Sequence, residues 1–568
     1  MKQSFLSRIP VQAGLMGLVV ASSLPGRSEV PGKVPHDVHA SRRALNPEQT
    51  VVNINNLTVW VREDGFHDWT VEGSWNGTFP KGTGGIVFSE GTVWGGLVYD
   101  GLTPQLRVGG AKYMSGNSAG KILTDASGQV TGPEDPDDPS VRPYRVRPDW
   151  PVADLRADAA HFFLVKPEDV TGSQIEEIRA QYEMDWNSWP AEKGAPFDDI
   201  NGVPGYQPST WNDTLLQWNT DGDIPGIPGA DQTLWVVYND LDPGKVDNFS
   251  GSLPVGMEVQ ETYWGYSRYH DLANTVFKWI RLIYKGREMT PDTARIDQLY
   301  ITQWSDVDNG YYADDFLGAD TTLDLGYVYN AYERDRVWDY WDLVPPAGGY
   351  SVLAGPRVES SQPLDSAWFS FRWIPGFRNL RMGTFTFEGT KTFPEPPTGY
   401  YRTLAVYNLM RGCEPRPWYP DCDPLRDHLG NPTRIELAGD PVTGTGDLDG
   451  RPTPENPIRL APGDRRLVLA TGPLTMARGD TQEVVLALTG AAGADHLLSV
   501  AALRERVRSV RGAWKSNFTR LQPGTRVTPV DVPHNTEETG PFDLIFRIDD
   551  DPSWEGDITG AKLHFTVG

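Results

Sequence analysis

From Val51 onward the chain is dominated by apolar and polar residues alternating with a period of two. In VVNINNLTVWVREDG the apolar positions are Val52, Ile54, Leu57, Val59 and Val61, which is the pattern of a half-buried strand. GGIVFSEGTVWGGLVYDG predicts two short strands joined into a hairpin at Ser89-Glu90-Gly91, and LRVGGAKYMSG extends the β pattern. Longer runs follow at Thr233–Asp240, Val255–Tyr266, Thr275–Tyr284, Asp297–Trp304 and Ala367–Trp373. Leu467–Leu488 predicts two more strands around the turn Ala477-Arg478-Gly479-Asp480.

The period changes to that of a helix in three places. Pro151–Phe163 carries Val152, Leu155, Ala159 and Phe162 at helical spacing. In Thr171–Trp189 a capping box of Thr171 and Gln174 precedes Ile175, Ile178, Tyr182 and Trp186. Asp495 is a good N-cap for a helix reaching residue 517, with Leu498, Ala501, Ala502, Glu505 and Val510 along it. The fold class expected is mainly β: a large antiparallel β-sandwich-like body with helical insertions, then a partial Ig/fibronectin-like module. The boundaries expected are a β-rich domain at 51–345 with a helical insertion at 151–190, a β-rich region at 346–520 closing with the helix 495–517, and the partial module at 521–568.

The first 50 residues break this pattern. Lys2 and Arg8 precede an apolar run, Val11–Leu24, that ends in the small residues Ala21, Ser22 and Ser23. That order is the order of a secretory signal peptide, expected at 1–24. The run is about 14 residues, short of the roughly 18–20 that span a bilayer. Residues 25–50 are polar, broken by Pro and Gly, and read as a disordered linker. No second long apolar stretch follows, so no transmembrane segment is expected in the mature chain.

Composition narrows the classes further. The 568 residues carry a formal net charge of −25, which opposes binding to nucleic acid or anionic membrane. The 59 Gly, 47 Pro and 20 Trp suit strands joined by long, turn-rich loops. The two cysteines, Cys413 and Cys422, flank a Pro-rich loop, so in an exported chain they are expected to form one local disulfide.

Candidate chemistry concentrates in acidic loops. SDVDNGYYADDFLGAD places Asp306, Asp308, Asn309, Asp314, Asp315 and Asp320 within one short stretch, with Gly310 allowing a bend. Calcium takes six to eight oxygens from carboxylates, amides and carbonyls on flexible loops, so this loop is the first candidate for structural Ca2+. FDDINGVPG, with Asp199 and Asn201, opens like an EF-hand loop but lacks its later ligands. DGDIPGIPGAD adds Asp221 and Asp223. GNSAG (Gly116–Gly120) fits GxSxG in form, yet the residues after it read as strand and turn where a nucleophile elbow needs a helix. The nine His show no HExxH pattern.

NINNLTVWVREDG, GGIVFSEGTVWGGLVYDG, VRPYRVRPDW, QWSDVDNGYYADDFLGADTTLDLGYVYN and GPLTMARGDTQEVVLAL together resemble uncharacterised exported bacterial surface proteins that look like substrates of type IX (Por-type) secretion. The resemblance spans roughly residues 51–520 and implies a location, secreted or at the cell surface, rather than a chemistry. Such substrates carry a C-terminal sorting domain; none is recognisable here, and Thr536–Val567 resembles the beginning of an Ig-like module, so the chain is read as stopping inside it. The function expected is an exported structural or interaction protein with calcium-stabilised acidic loops and no evident catalytic residues. The alternative is a secreted carbohydrate-binding protein or glycoside hydrolase using paired carboxylates in an aromatic cleft, with Trp264, Trp279, Trp304, Trp338 and Trp341 as its aromatics. Extracellular polysaccharide or cell-surface components are the partners expected.

Overall fold

Strands marked by the period-two pattern divide between two open antiparallel sheets. The computed structural model describes residues 48–69, 77–269, 272–389, 399–452, 461–516, 518, 526–529 and 546–549. The expected signal segment, nearly all of the 25–50 linker and most of the 521–568 module lie outside these residues. Fifteen strands build the two sheets: β1 Phe66–His67, β2 Ser89–Tyr99, β3 Gln105–Gly110, β4 Ser118–Ala119, β5 Tyr144–Val146, β6 Gln232–Asn239, β7 Met257–Gly265, β8 Thr275–Tyr284, β9 Arg295–Asp306, β10 Asp315–Asp320, β11 Leu325–Asn330, β12 Ala347–Ala354, β13 Thr384–Gly389, β14 Arg465–Ala477 and β15 Thr481–Ala491. The large sheet runs β5-β6-β7-β8-β15-β12-β11-β10, with β4 also on β6; the small sheet runs β13-β14-β9-β2-β1, with β3 also on β2.

The core lies between the sheets. Alternation sends Val276, Ile280 and Leu282 of β8, Leu486 and Leu488 of β15, Trp94 of β2, Ile301 of β9 and Leu467 and Leu469 of β14 into one shared apolar cluster. The opposite faces are also covered. Phe277, Trp279, Val485 and Ala487 meet Val510, Ala513 and Trp514 of a helix over His496–Lys515. Val468 and Ala470 meet Val406, Tyr407, Leu409 and Met410 of the helix Tyr400–Met410. The result is a sandwich with a helix on each outer face, as the binary pattern requires. Among the described residues no helix is long and apolar enough to cross a membrane.

Several local expectations change. Ser89-Glu90-Gly91 is not a turn: it opens the 11-residue strand β2, while Gly85–Val87 pairs instead with Gly77–Thr78. Gly91 explains the misreading, since a Cβ there would meet the Ala111 backbone oxygen at 2.3 Å, so the glycine serves close packing. Ala367–Trp373 is a hairpin, Ser366–Phe369 against Arg372–Pro375, because Ser370 and Phe371 both adopt positive φ (48° and 61°). The turn at Ala477–Asp480 does not pair the strands it joins; β14 lies in the small sheet and β15 in the large one. The nine-stranded sheet takes β10 and β11 from before residue 345 and β12 and β15 from after it, so one sheet spans that expected boundary.

The helical insertion forms as Arg156–Phe162 and Gly172–Asn187, the second with the Thr171–Gln174 capping box in place. In the helix His496–Lys515, Asp495 caps as expected by accepting from the Leu498 N–H. Its buried stripe is Val500, Leu503, Val507 and Val510, however, and Leu498 is exposed. The sulfurs of Cys413 and Cys422 are at bonding distance. Arg526–Pro529 and Phe546–Asp549 pair antiparallel.

Candidate functional site

The acidic loop after β9 is positioned by that strand's end. Asp306 is the last residue of β9, paired with Ser89 on one side and Arg466 of β14 on the other. Asp308 follows in the loop, and Asp464 immediately precedes β14. One carboxylate oxygen from each of Asp306, Asp308 and Asp464 lies within 4.8 Å of the others. Two oxygens on opposite sides of a calcium ion at about 2.4 Å each would be separated by about 4.8 Å. The three are therefore close enough to share one ion.

Arg466 offers the counter-charge: its Nη2 is 2.9 Å from Asp464 and its Nε is 3.6 Å from Asp306. Tyr113 donates to Asp306 Oδ2 at 3.0 Å and also accepts from Arg466 Nε. With all three ionised, one guanidinium leaves a surplus of negative charge at short range. Burial, then Asp306 and Asp464, pushes the Asp308 carboxyl well above its ordinary range. Burial also raises Asp464, against the pull of Arg466. Without a cation such a cluster is relieved by taking up a proton.

A second tier lies beside it. Asp315, fully buried at the start of β10, accepts from the Asn309 N–H through Oδ2, and burial followed by Asp308 raises its carboxyl strongly. The Oδ1 atoms of Asp308, Asn309 and Asp315 are buried and accept no hydrogen bond from the described residues. Buried oxygens of this kind are few in folded proteins and call for an ion or water. Asp314 is raised to about 7 by burial and then by Asp335. Gly310 (φ +81°) bends the loop where a Cβ would stand 2.7 Å from Trp338 Nε1 and 2.8 Å from Asp335 Oδ1.

Other sequence candidates go elsewhere. Asp320 ends β10, about 17 Å along the strand from Asp315; it caps its own turn through Thr322 and pairs with Arg504. Asp199 accepts from the Gly202 N–H and Asn201 from the Val203 N–H. Asp221 holds the Thr210 N–H and hydroxyl, while buried Asp223 takes the N–H groups of Ile200 and Gln207. These four staple their own loops. Ser118 lies on β4, paired with Asn239, not on a strand-to-helix elbow. Trp264, Trp279, Trp304, Trp338 and Trp341 are all buried, so they line the core and not a cleft.

Sequence reading missed Asp464, Asp335 and a polar network between the sheets. Glu90 of β2, Glu261 and Tyr263 of β7, Lys278 of β8 and Tyr350 of β12 are all at most 4% exposed. Lys278 Nζ is 3.4 Å from Glu90 and 3.3 Å from Glu261. His67 Nε2 is 2.6 Å from Glu261, and Tyr350 and Gln303 donate to Glu90 at 2.6 and 2.9 Å. Burial would raise Glu261, but Lys278 and His67 outweigh it and hold the carboxyl well below its usual range. The network is enclosed between the two sheets. Its sequence signal is weak: Glu90, Glu261 and Lys278 sit inside β-patterned segments, and the strands of the last two carry a second charge, Glu258 and Arg281.

In comparisons with protein-family models and with curated proteins, no family and no relative matches the chain.

Proposed function

We propose that this is an exported, extracytoplasmic structural or interaction protein in which a calcium ion at Asp306, Asp308 and Asp464 ties the acidic loop to the edge of two neighbouring strands of the small sheet. The observation that carries the reading is the approach of those three carboxylates, one ending β9, one in the loop after it and one just before β14. An ion there would clamp the small sheet to the acidic loop. All donors are oxygens, which suits a hard cation and not zinc or copper. Export rests on the signal-like residues 1–24, the acidic balance, the paired cysteines and the resemblance to exported surface proteins.

A cation bound only by the folded chain stabilises it by mass action, about 2.7 kcal/mol at a hundredfold excess over Kd. Thermal melts in millimolar calcium should therefore lie several degrees above melts in EDTA, with magnesium giving a smaller rise. Identical melts in calcium and chelator would overturn the cation reading. Cell fractionation of the tagged full-length protein checks the address, and retention of an uncleaved chain in the cytoplasm would overturn export.

A further inference from the structure

Arg466 of β14 lies directly opposite Asp306 of β9 and Glu388 of β13, so the three side chains form one row across the small sheet. Glu388 is committed to Lys112, whose Nζ stands 2.6 Å away, and it also accepts from the Trp304 indole at 3.3 Å. Arg465, the residue before, alternates to the other face and holds Asp449. Arg466 instead pairs with Asp306 and Asp464, at 3.6 and 2.9 Å.

The guanidinium is held where it stands. Its side chain is 12% exposed, its carbon lies 5.4 Å from the centre of the Tyr113 ring, and its Nε donates to the Tyr113 hydroxyl. That hydroxyl donates in turn to Asp306 Oδ2 at 3.0 Å, and the Tyr113 ring packs edge-on against Trp304 at 4.9 Å. A positive charge is thus built into the wall of the three-carboxylate cluster. Across from it, Asp308 Oδ1 is enclosed and accepts no hydrogen bond from the described residues. An enclosed oxygen of that kind calls for an ion or a water.

Charge decides how tightly an ion is held there. The three ionised carboxylates and one guanidinium leave two negative charges, which one divalent cation cancels. The ion nevertheless enters beside a fixed positive charge, and a unit charge within about 6 Å lowers its affinity about tenfold or more even after solvent screening. Before the ion enters, the same guanidinium relieves the repulsion among the carboxylates. On the basis of the cation reading above, we propose that Arg466 is a built-in counter-cation that regulates this site. It supports the ion-free fold and sets the calcium dissociation constant at about 0.1 mM, where the cation sites of extracellular modules begin. A site weakened in this way stays ion-free where calcium is scarce and fills where calcium is millimolar, with β9 and β14 in register in both states.

The experiment is calorimetric titration of the full-length protein with calcium chloride, together with thermal melts in EDTA and in saturating calcium. The wild type is expected to bind with a dissociation constant of about 0.1 mM. Arg466→Gln, which keeps a donor for the Tyr113 hydroxyl, should bind calcium about tenfold or more tightly and yet melt below the wild type in EDTA. Arg466→Lys keeps the charge and should stay within about threefold of the wild-type affinity. A residue that only packs would lower the melt without tightening calcium binding. Arg466→Gln binding calcium no more tightly than the wild type would therefore overturn the proposal and leave the calcium site standing. So would a wild-type dissociation constant below about 10 µM, the range of intracellular sensors, and this measurement decides even if Arg466→Gln does not fold. Absence of calcium binding by the wild type and both variants would instead overturn the site itself.

Discussion

Asp308 is a carboxylate placed where a carboxylate alone is unfavourable. Burial, then Asp306 and Asp464, raises its carboxyl; burial, then Asp308, raises that of Asp315; and Asp314 reaches about 7. A group whose folded pKa is raised contributes stability that is complete below its unfolded pKa and declines as pH rises through the folded value. In EDTA, stability should therefore fall between about pH 4 and pH 7; in calcium, rising pH frees the ligands and the fall should shrink or reverse. Asp308→Asn separates the causes. Without metal the amide relieves repulsion and should leave stability equal or raise it by about 1 kcal/mol. In millimolar calcium the same change should remove most of the calcium-dependent increment. Urea titrations across pH with and without calcium read both effects, and a variant that still gains fully from calcium would remove Asp308 from the site. Most of this centre was legible in sequence, since Asp306, Asp308, Asn309 and Asp315 are local. Asp464 was not, because only the pairing of β9 with β14 brings it there.

At the level of elements, helix caps were read correctly from one segment, whereas a local turn at Ser370-Phe371 and the pairings that depend on a distant partner were not. The capping box at Thr171 and the Asp495 cap are local hydrogen-bond chemistry, and both are present. The hairpin expected at Ser89-Glu90-Gly91 used equally local turn residues, yet the chain runs straight, because Glu90 finds Tyr350, Gln303 and Lys278 inside the sandwich. The step from β14 to β15 has ideal hairpin length but crosses between sheets: the Gly479 N–H donates to Tyr284 O and the Arg478 N–H to Ala294 O. No periodicity distinguishes a turn that closes a hairpin from one that changes layer. The long C-terminal helix tests the value of local capping in this setting. Asp495→Ala removes the acceptor of the Leu498 N–H and should lower stability by about 1 kcal/mol. Asp495→Ser should recover most of that, measured by chemical denaturation. A loss below about 0.3 kcal/mol would mean that packing of Val500, Leu503 and Val507 alone fixes the helix start.

Across the whole molecule, two sheets this large could slide on a purely apolar interface, and the polar network between them fixes how they meet. Glu90 comes from the small sheet and Glu261, Lys278 and Tyr350 from the large one, so Lys278 joins carboxylates of both layers. Replacing a buried network by apolar residues is often neutral, whereas removing one partner strands a buried charge. Lys278→Met should therefore destabilise by about 3–5 kcal/mol. The depressed Glu261 carboxyl sets the sign of its pH dependence. A group with a lowered folded pKa contributes stability present above its unfolded value and lost as pH falls toward the folded one. Without Lys278 that carboxylate loses its main counter-charge, so the variant should lose less stability on acidification from about pH 5 to pH 3 than the parent does. Adding Glu261→Gln to Lys278→Met should recover part of the loss, a coupling expected only of groups in direct contact. Urea unfolding of the four proteins of this cycle gives the coupling directly. Additive losses would mean that Lys278 and Glu261 act separately, and that apolar packing alone sets the alignment of the two sheets.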